Sequence, residues 1–328
     1  MKRRAKDDTA LIVAARSGLE LAAPALLQKV GRQACKRFFE FLTANIRNQN
    51  TRLAYHRALS DFFAWCDDRR LGLDDIEPMI VAAYVEYLLT IYSKPMVKQH
   101  LAATRMCFDW LVVGQILPMN PASSVRGPTL VVKKGKTPVL TADEARQLLD
   151  SIDCSTTVGL RDRALIGVMV YSFARVSAVV GMRVSDYYQT GKRSRFRLHE
   201  KGGKFHEVPA HHKAEEYVDS YLRAAAINDE DDGPLFRSAV GRTGILGPNG
   251  MTRHDVLRMV KRRAAGAGLP RRICCHTFRA TGITAYLENG GVIEKAQAIA
   301  AHESPRTTKL YDRTQDEISL DEIERILI

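Results

Sequence analysis

Residues 275–313 read CHTFRATGITAYLENGGVIEKAQAIAAHESPRTTKLYDR, a stretch that places His276, Arg279, His302 and Tyr311 within forty residues. His276 and Arg279 stand three residues apart at the beginning of a segment with helical spacing of its apolar residues. Side chains at that spacing project from one face of a helix, so the two are expected side by side. The glycine pair at 290–291 then predicts the end of this helix.

A second helix is predicted from about residue 293 to residue 301, which places His302 at its end. Tyr311 follows nine residues later, after a short segment. A guanidinium matches two oxygens of a phosphate, histidines transfer protons near neutral pH, and a tyrosine hydroxyl can act as a covalent nucleophile. The stretch therefore predicts chemistry on a phosphate, for which neither a metal nor another cofactor is expected.

This order of residues resembles the C-terminal signature of the tyrosine recombinases, the family of phage integrases and chromosome-dimer-resolving recombinases. The first catalytic arginine of that family lies in an R-x-S segment, which residues 175–177 match. Its catalytic lysine lies in a β-hairpin, which residues 200–204 match. The resemblance implies six catalytic residues: Arg175, Lys201, His276, Arg279, His302 and the nucleophile Tyr311.

The resemblance also implies a role for each side chain. Arg175 and Arg279 would hold the non-bridging oxygens of the phosphate, and Lys201 would protonate the departing 5′ oxygen. His276 would assist proton movement at the nucleophile, and His302 would hydrogen-bond the phosphate. The implied product is a 3′-phosphotyrosyl link, which a 5′ hydroxyl from another duplex can reverse.

Two positions depart from the family pattern. The family usually carries an acidic residue three positions after the first arginine, where it supports the site, and Ala178 stands there in this chain. A glycine commonly precedes the second histidine of the family, and Ala301 takes its place. Neither change removes a catalytic group, but the missing carboxylate leaves one supporting contact unaccounted for.

Composition favours a partner that is an extended polyanion. The chain has 328 residues and a formal net charge of +12, which suits nucleic acid better than a membrane, because no amphipathic basic helix stands out. The longest apolar stretch, residues 80–92, is too short to span a bilayer. The six cysteines are scattered without a paired framework, so we expect reduced thiols and no zinc site.

The expected fold class is mainly α with a small β-sheet or hairpin. A helical core-binding domain and an α+β catalytic domain are predicted, and the resemblance implies that they form a C-shaped clamp on DNA. A stretch rich in proline, glycine and lysine separates the two. The predicted divisions are an N-terminal tail at 1–30, the helical domain at 31–117, a basic linker at 118–138 and the catalytic domain at 139–328.

Basic residues on two helices and the linker are candidates for DNA backbone contacts. The clearest helix of the first domain is expected to follow a cap at Asn50-Thr51. Its apolar residues leave a basic face, and another helix carries basic residues beside its apolar stripe. A solvated surface would explain these residues equally well. The candidates are Arg52, His56, Arg57, Lys98 and Arg105, with Lys133, Lys134 and Lys136 in the linker.

Local signals place the elements of the second domain. Thr141 opens a capping box with Glu144, and an apolar helix is predicted from Arg161. Two short alternating runs around Gly202-Gly203 read as a hairpin. Further helices are predicted at residues 212–225 and from Thr252.

We favour a site-specific recombinase or integrase, acting in the bacterial cytoplasm or nucleoid on double-stranded DNA. A monomer in solution is expected to assemble into a homotetramer on paired sites. A type IB topoisomerase, or a DNA-binding relative without catalysis, would share much of the pattern. Relaxation of a plasmid that lacks a target site would identify the first alternative, and trapping of a covalent complex would exclude the second.

Overall fold

The computed structural model describes residues 21–130, 135–200, 203–241, 243–312 and 323, without the side chain of Lys204. The chain divides into two compact units between residues 131 and 132. Each unit has its own buried apolar core. In the described part of the chain, no helix is both long enough and apolar enough to cross a membrane.

Among the described residues of the first unit, all regular secondary structure is helical. An aromatic cluster fills its core, in which Phe62 lies edge-on to Phe108 at 5.8 Å and to Tyr84 at 5.0 Å between ring centroids. Such perpendicular pairs are favourable beyond their buried area. The helices are α1 (Ala25–Val30), α2 (Arg32–Glu40) continued by a π-turn (Phe41–Asn45), α3 (Gln49–Asp68), α4 (Pro78–Ile91) and α5 (Lys94–Val113).

Two details of this unit differ from the prediction. The cap of α3 is Asn48, whose side chain accepts a hydrogen bond from Thr51 N at 3.1 Å, so the helix begins before the predicted Asn50-Thr51 cap. Leu26 and Leu27, which the prediction assigned to an N-terminal tail, are fully buried in the core. The residues before about 21 lie outside the described part of the chain.

The second unit is built around α7, which is apolar on nearly every side and packs against α9 and α11. A helix without a polar face has to be enclosed by its neighbours. The helices are α6 (Ala142–Asp150), α7 (Thr157–Tyr171), α8 (Val176–Val180), α9 (His212–Ala225), α10 (Arg253–Gly266), α11 (Cys275–Glu288), α12 (Ile293–Ile299) and α13 (Pro305–Lys309).

The predicted hairpin forms, within a three-stranded antiparallel sheet ordered β1-β2-β3. Glu200 at the end of β2 faces Lys204 at the beginning of β3, and Gly203 between them has a φ of +76°. Glycine adopts such a backbone without steric cost. The strands are β1 (Tyr187–Thr190), β2 (Arg193–Glu200) and β3 (Lys204–Pro209), and a separate antiparallel pair is formed by β4 (Arg237–Ala239) and β5 (Leu246–Gly250).

In the second unit, the predicted helix starts are confirmed with one exception. Thr141 and Thr252 each open a helix through a capping box. Helix α7, however, begins at Thr157 and not at Arg161, because the Thr156 hydroxyl accepts a hydrogen bond from Gly159 N. Arg161 instead lies buried and pairs with Asp162 at 2.6 Å.

Candidate active site

Helix α11 carries His276 and Arg279 at the start of the site. Arg279 is only 1% exposed, and its guanidinium donates hydrogen bonds to the carbonyl oxygens of Phe173 and Ala300. These contacts tie the turn that precedes Arg175 to the end of α12. Burial and the nearby charge of Arg175 lower the pKa of Arg279 to about 10, so the side chain stays charged at neutral pH. Arg279 therefore both organises the site and supplies it with positive charge.

A close backbone approach allows this arrangement. A Cβ atom at Gly282 would lie 2.1 Å from the carbonyl oxygen of Val170 and 2.8 Å from the ring of Phe173. Only glycine therefore lets α11 pack this closely against the end of α7. Phe173 itself has a φ of +55°, an uncommon conformation for a bulky residue, and its ring is buried. The turn leads directly into Arg175.

Arg175 stands before the first residue of α8, with about a third of its side chain exposed. It forms an ion pair with Glu200, whose side chain is 3% exposed. Glu200 was not predicted from the sequence to be a site residue. A signal was present, because residues 196, 198 and 200 alternate onto the buried face of β2, where a carboxylate requires a partner.

The Tyr311 hydroxyl lies 2.7 Å from Nε2 of His276. Burial, followed by the charges of Arg279 and Arg175, lowers the pKa of His276, so its imidazole is neutral at neutral pH. Burial raises the pKa of Tyr311, although the positive charges of Arg279 and Arg175 act in the opposite direction. A neutral phenol therefore faces a neutral imidazole that can accept its proton.

His302 lies against the other side of the tyrosine. Its ring stacks on Tyr311 with 5.9 Å between centroids and 8° between planes. Nδ1 of His302 is 2.9 Å from the hydroxyl of Thr308, a residue that the sequence analysis did not single out. Burial, followed by the charges of Arg279 and Arg175, lowers the pKa of His302 to about 3, which keeps the ring neutral. The contact with Thr308 fixes which ring edge faces the site.

The backbone of Tyr311 is held as well. Its carbonyl oxygen accepts a hydrogen bond from the hydroxyl of Thr284 at 3.0 Å, and the carbonyl of Leu310 accepts one from Gly135 N at 3.1 Å. The ring is only 7% exposed and belongs to a small apolar cluster with Phe173 and Ile283. The nucleophile predicted from sequence is therefore anchored at both its backbone and its ring.

The structure thus brings together five of the six predicted catalytic side chains. Arg175 and Arg279 both act electrostatically on His276, His302 and Tyr311. The sixth, Lys201, lies outside the described residues. Its neighbour Glu200 is described, so the place where the chain leaves β2 is known.

The predicted DNA-contacting residues fall into two groups. Three of them are engaged with backbone carbonyls: Arg52 with Ile46, His56 with Ala22, and Arg105 with Ala122 and Val125. Three others are exposed: Arg57, Lys98 and Lys136. Lys133 and Lys134 lie outside the described residues. Contact with DNA remains a prediction for all eight.

No metal site was predicted from the sequence. Among the side chains that the structure describes, no group of three or more His, Cys, Asp or Glu residues could hold a metal ion. The neighbouring Cys274 and Cys275 are free thiols. Burial raises the pKa of Cys275 to about 11, so this thiol stays protonated.

Two family profiles match the chain. The phage integrase family profile matches residues 138–317, and the N-terminal SAM-like domain of phage integrases matches residues 35–114. Together they leave only the chain ends and a short central segment unmatched. The first match alone covers more than half of the chain, which is enough to show the family.

Curated relatives and solved structures agree with these matches. The chain is 24% identical to tyrosine recombinase XerD of Lacticaseibacillus casei, over 80% of this chain and 87% of the relative. It is 28% identical to tyrosine recombinase XerC of Myxococcus xanthus, over 77% and 83%. The fold is similar to that of a lambda integrase tetramer bound to a Holliday junction, with a TM-score of 0.64, 18% identity and coverage of 96% and 86%.

Proposed function

The chain belongs to the phage integrase family, the tyrosine recombinases that cleave and rejoin DNA strands, and from this membership we propose that Tyr311 is its nucleophile. The contact that supports this assignment best is the 2.7 Å distance from the Tyr311 hydroxyl to His276 Nε2. A nucleophile, a base and two guanidinium groups then share one site. This is the arrangement that attack on a phosphodiester requires.

The proposed reaction combines these groups with Lys201, whose role is the one implied by family membership. His276 takes the phenolic proton as Tyr311 attacks phosphorus, and the phosphorus–O5′ bond breaks to leave a 3′-phosphotyrosyl link. Lys201 gives a proton to the departing 5′ oxygen, while Arg175 and Arg279 stabilise the charge on the non-bridging oxygens. His302 hydrogen-bonds the same phosphate. The link keeps the energy of the broken bond, so a 5′ hydroxyl of a second duplex can reverse the step.

The DNA-bound assembly is also part of the proposal. The solved lambda integrase complex holds four subunits on a Holliday junction. Exchange between two duplexes requires about four active sites, and head-to-tail contacts can close such an assembly into a ring. We propose a monomer in solution that forms a homotetramer on two paired sites, in the bacterial cytoplasm. The exposed Arg57, Lys98 and Lys136 would contact DNA phosphates.

The domain organisation proposed for this function keeps the predicted divisions after residue 30, while residues 21–30 join the helical domain because Leu26 and Leu27 lie in its core. A helical core-binding domain at 21–117 and a catalytic domain at 139–328 would bind the same duplex, joined by the basic linker at 118–138. The described second unit contains every catalytic residue named above except Lys201. The first unit would then contribute DNA affinity and site recognition only.

Covalent capture tests the nucleophile. The target site can be found by recovering the duplexes to which the wild-type protein becomes covalently linked from a random-sequence pool. Tyr311→Phe should form no covalent complex with the selected duplex yet bind it with nearly unchanged affinity, because only the hydroxyl is removed. Denaturing gels and gel-shift titrations measure the two quantities. A covalent complex formed by this variant would move the nucleophile to another residue.

A further inference from the structure

Glu200 is the last residue of β2 and has only 3% of its side chain exposed. It shares the inward face of the strand with Phe196 and Leu198, which are fully buried. A carboxylate at such a position is costly unless it is paired. Its partner is Arg175, a residue 25 positions earlier in the chain.

The position that usually carries a supporting carboxylate in this family is occupied here by the uncharged Ala178. Ala178 follows Arg175 by three residues, is fully buried and belongs to the apolar core of the second unit. Its backbone N–H donates to the carbonyl of Arg175 at 2.9 Å, within the first turn of α8. The guanidinium of Arg175 therefore receives its negative partner from β2 and not from its own helix.

The two side chains of the pair differ in exposure. Glu200 approaches Arg175 from the protein interior, while about a third of the Arg175 side chain remains exposed. An ion pair on the inner side fixes the guanidinium and leaves its outer N–H groups for another anion. A carboxylate that merely occupied the phosphate position would be expected on the exposed side.

Glu200 also acts on the second arginine. Its charge favours the protonated form of Arg279, against the burial and the repulsion from Arg175 that lower the pKa of Arg279. Two guanidinium groups repel each other when they approach one site. A buried carboxylate within reach of both lowers the energy needed to hold them together.

We propose that Glu200 is the positioning residue that aims Arg175 at the scissile phosphate and replaces the carboxylate that position 178 lacks. The inference rests on the proposed function, since it assigns Arg175 to the phosphate. The proposed role differs from one in which Glu200 would act on catalysis by positioning Lys201, the next residue in the chain. It also differs from a blocking role, in which Glu200 would compete with DNA for Arg175.

Three variants separate these possibilities. Glu200→Gln removes the charge of the side chain and keeps its shape. Glu200→Asp keeps the charge, but the shorter side chain holds the carboxylate farther from Arg175. Glu207→Gln is the matched control. Glu207 on β3 pairs with Arg197 on β2 at 3.0 Å, but both side chains are well exposed. The substrate is a suicide duplex with the sequence that the wild-type protein selects by covalent capture. The rate of covalent complex formation is measured at saturating protein.

Glu200→Gln should slow this rate by on the order of 10²-fold, because a displaced catalytic group costs about that much. DNA affinity should be equal or higher, since a negative charge has been removed. Glu200→Asp should recover part of the rate, and Glu207→Gln should match the wild type. The loss should persist when sulfur replaces the bridging 5′ oxygen, because a thiolate leaves without a proton from Lys201.

Combining Glu200→Gln with Arg175→Ala tests whether Glu200 acts through Arg175. If Glu200 acts through Arg175, adding Glu200→Gln to Arg175→Ala should cause no further loss. Should Glu200→Gln fail to fold, Glu200→Asp is used for the same comparison. The proposal would be overturned if Glu200→Gln reduced the rate of covalent complex formation further in the Arg175→Ala background. A reduction by Glu200→Gln that disappears on the sulfur substrate would also overturn it, and so would a higher rate for Glu200→Gln than for the wild type. An inactive wild type would instead reject the proposed function.

Discussion

Tyr311 and His276, the proposed nucleophile and its proposed base, lie 2.7 Å apart, and their pKa values are shifted in opposite directions. Burial raises the pKa of the Tyr311 phenol and lowers that of the His276 imidazole. Before the reaction, therefore, the phenol is protonated and the imidazole is neutral and able to accept a proton. The charges of Arg175 and Arg279 oppose the first shift and reinforce the second. The site therefore needs no charged histidine before DNA is cleaved.

This pair predicts the acid limb of cleavage. His276 must be neutral to accept the proton, and its pKa lies below the ordinary value of 6.5. At subsaturating DNA, which reports on the free enzyme, the rate of covalent complex formation should stay level from pH 8 down past 6.5 and fall only at lower pH. Rates measured on the selected suicide duplex between pH 5 and pH 8 give the profile.

Two variants control this profile. His276→Gln should lose the acid limb together with most of the activity, whereas His212→Gln should keep both, because His212 is exposed at the start of α9. A limb centred above pH 6.5 in the wild type, or an unchanged limb in His276→Gln, would assign the proton transfer to another group.

At the scale of residues, the order of chemical groups along the chain indicated which side chains would lie close together, although their roles stay predictions. Arg175, Arg279, His302 and Tyr311 carry side chains with specific chemistry, and the structure brings them together. Glu200 was missed because alternation along β2 indicates only that its side chain is buried, while its partner Arg175 lies 25 residues away in the chain. Thr308 was missed for a different reason: its partner His302 is only six residues away, but a threonine hydroxyl has no distinctive sequence pattern.

At the scale of elements, the end of α12 explains the second departure from the family pattern. Ala301 has a φ of +47°, its N–H donates to the carbonyl of Ala298, and His302 N donates to that of Gln297. This is a Schellman ending, in which the left-handed position usually carries glycine. His302 is therefore presented by a turn that alanine adopts only with strain.

Ala301→Gly should accordingly stabilise the protein. The left-handed conformation costs an ordinary residue roughly 1–2 kcal/mol, and glycine loses about 0.5–1 kcal/mol through the greater freedom of the unfolded chain. We expect a net gain of about 0.5–1 kcal/mol in the free energy of unfolding, measured with urea. Activity should change little, since the site geometry is kept.

Ala226 offers a matched control for this change. It ends α9 with a φ of 52° and the same pair of hydrogen bonds, from Ala226 N to Arg223 O and from Ile227 N to Leu222 O. Ala226→Gly should give a similar gain without any effect on DNA cleavage. Destabilisation by both glycines would show that strain at these turns is smaller than the entropy cost.

Elements with strong local signals were predicted well, and those without them were not. Helix α9 has the predicted bounds because an amphipathic pattern and a turn define it. Strands β1, β4 and β5 were missed, since each has three to five residues and depends on pairing with a distant segment. The start of α7 was misplaced because Thr156 caps it without a capping box.

At the scale of the whole molecule, the charge of +12 predicts salt-sensitive DNA binding. Each phosphate neutralised contributes about −0.9 to the slope of log K against log salt. Lys98→Ala and Arg57→Ala should each reduce the magnitude of that slope by about 0.9 without loss of stability, because both side chains are exposed. Fluorescence anisotropy with the selected duplex from low to high salt measures the slope.

Unlike Lys98 and Arg57, Arg105 is expected to contribute to stability. Its guanidinium already donates to the carbonyls of Ala122 and Val125, so Arg105→Ala should lower the free energy of unfolding of the first unit. A slope that Lys98→Ala and Arg57→Ala leave unchanged would place the DNA on another surface. The composition predicts the partner, but only the structure separates exposed cations from those already engaged.

We expect the C-terminal segment to link neighbouring subunits of the proposed tetramer. Residues 315–328 combine an apolar stripe with acidic residues, and the resemblance implies that such a segment packs against a neighbouring subunit. Most of it lies outside the described residues. Ile323, which is described, has 51% of its surface exposed, although an apolar side chain gains by burial.

Deletion of the residues after Thr314 should therefore leave binding and cleavage of a single site largely unchanged but prevent pairing of two sites and recombination. Tyr311 keeps its contacts with His276 and Thr284 in the shortened chain, because none of these residues is removed. Analytical ultracentrifugation of the DNA complexes and a two-site plasmid assay measure the two steps. Ile323→Asp in the full chain should weaken pairing in the same direction. Recombination by the shortened protein would show that the tetramer forms through other surfaces, and unfolding of the shortened protein would show that the segment packs on its own domain.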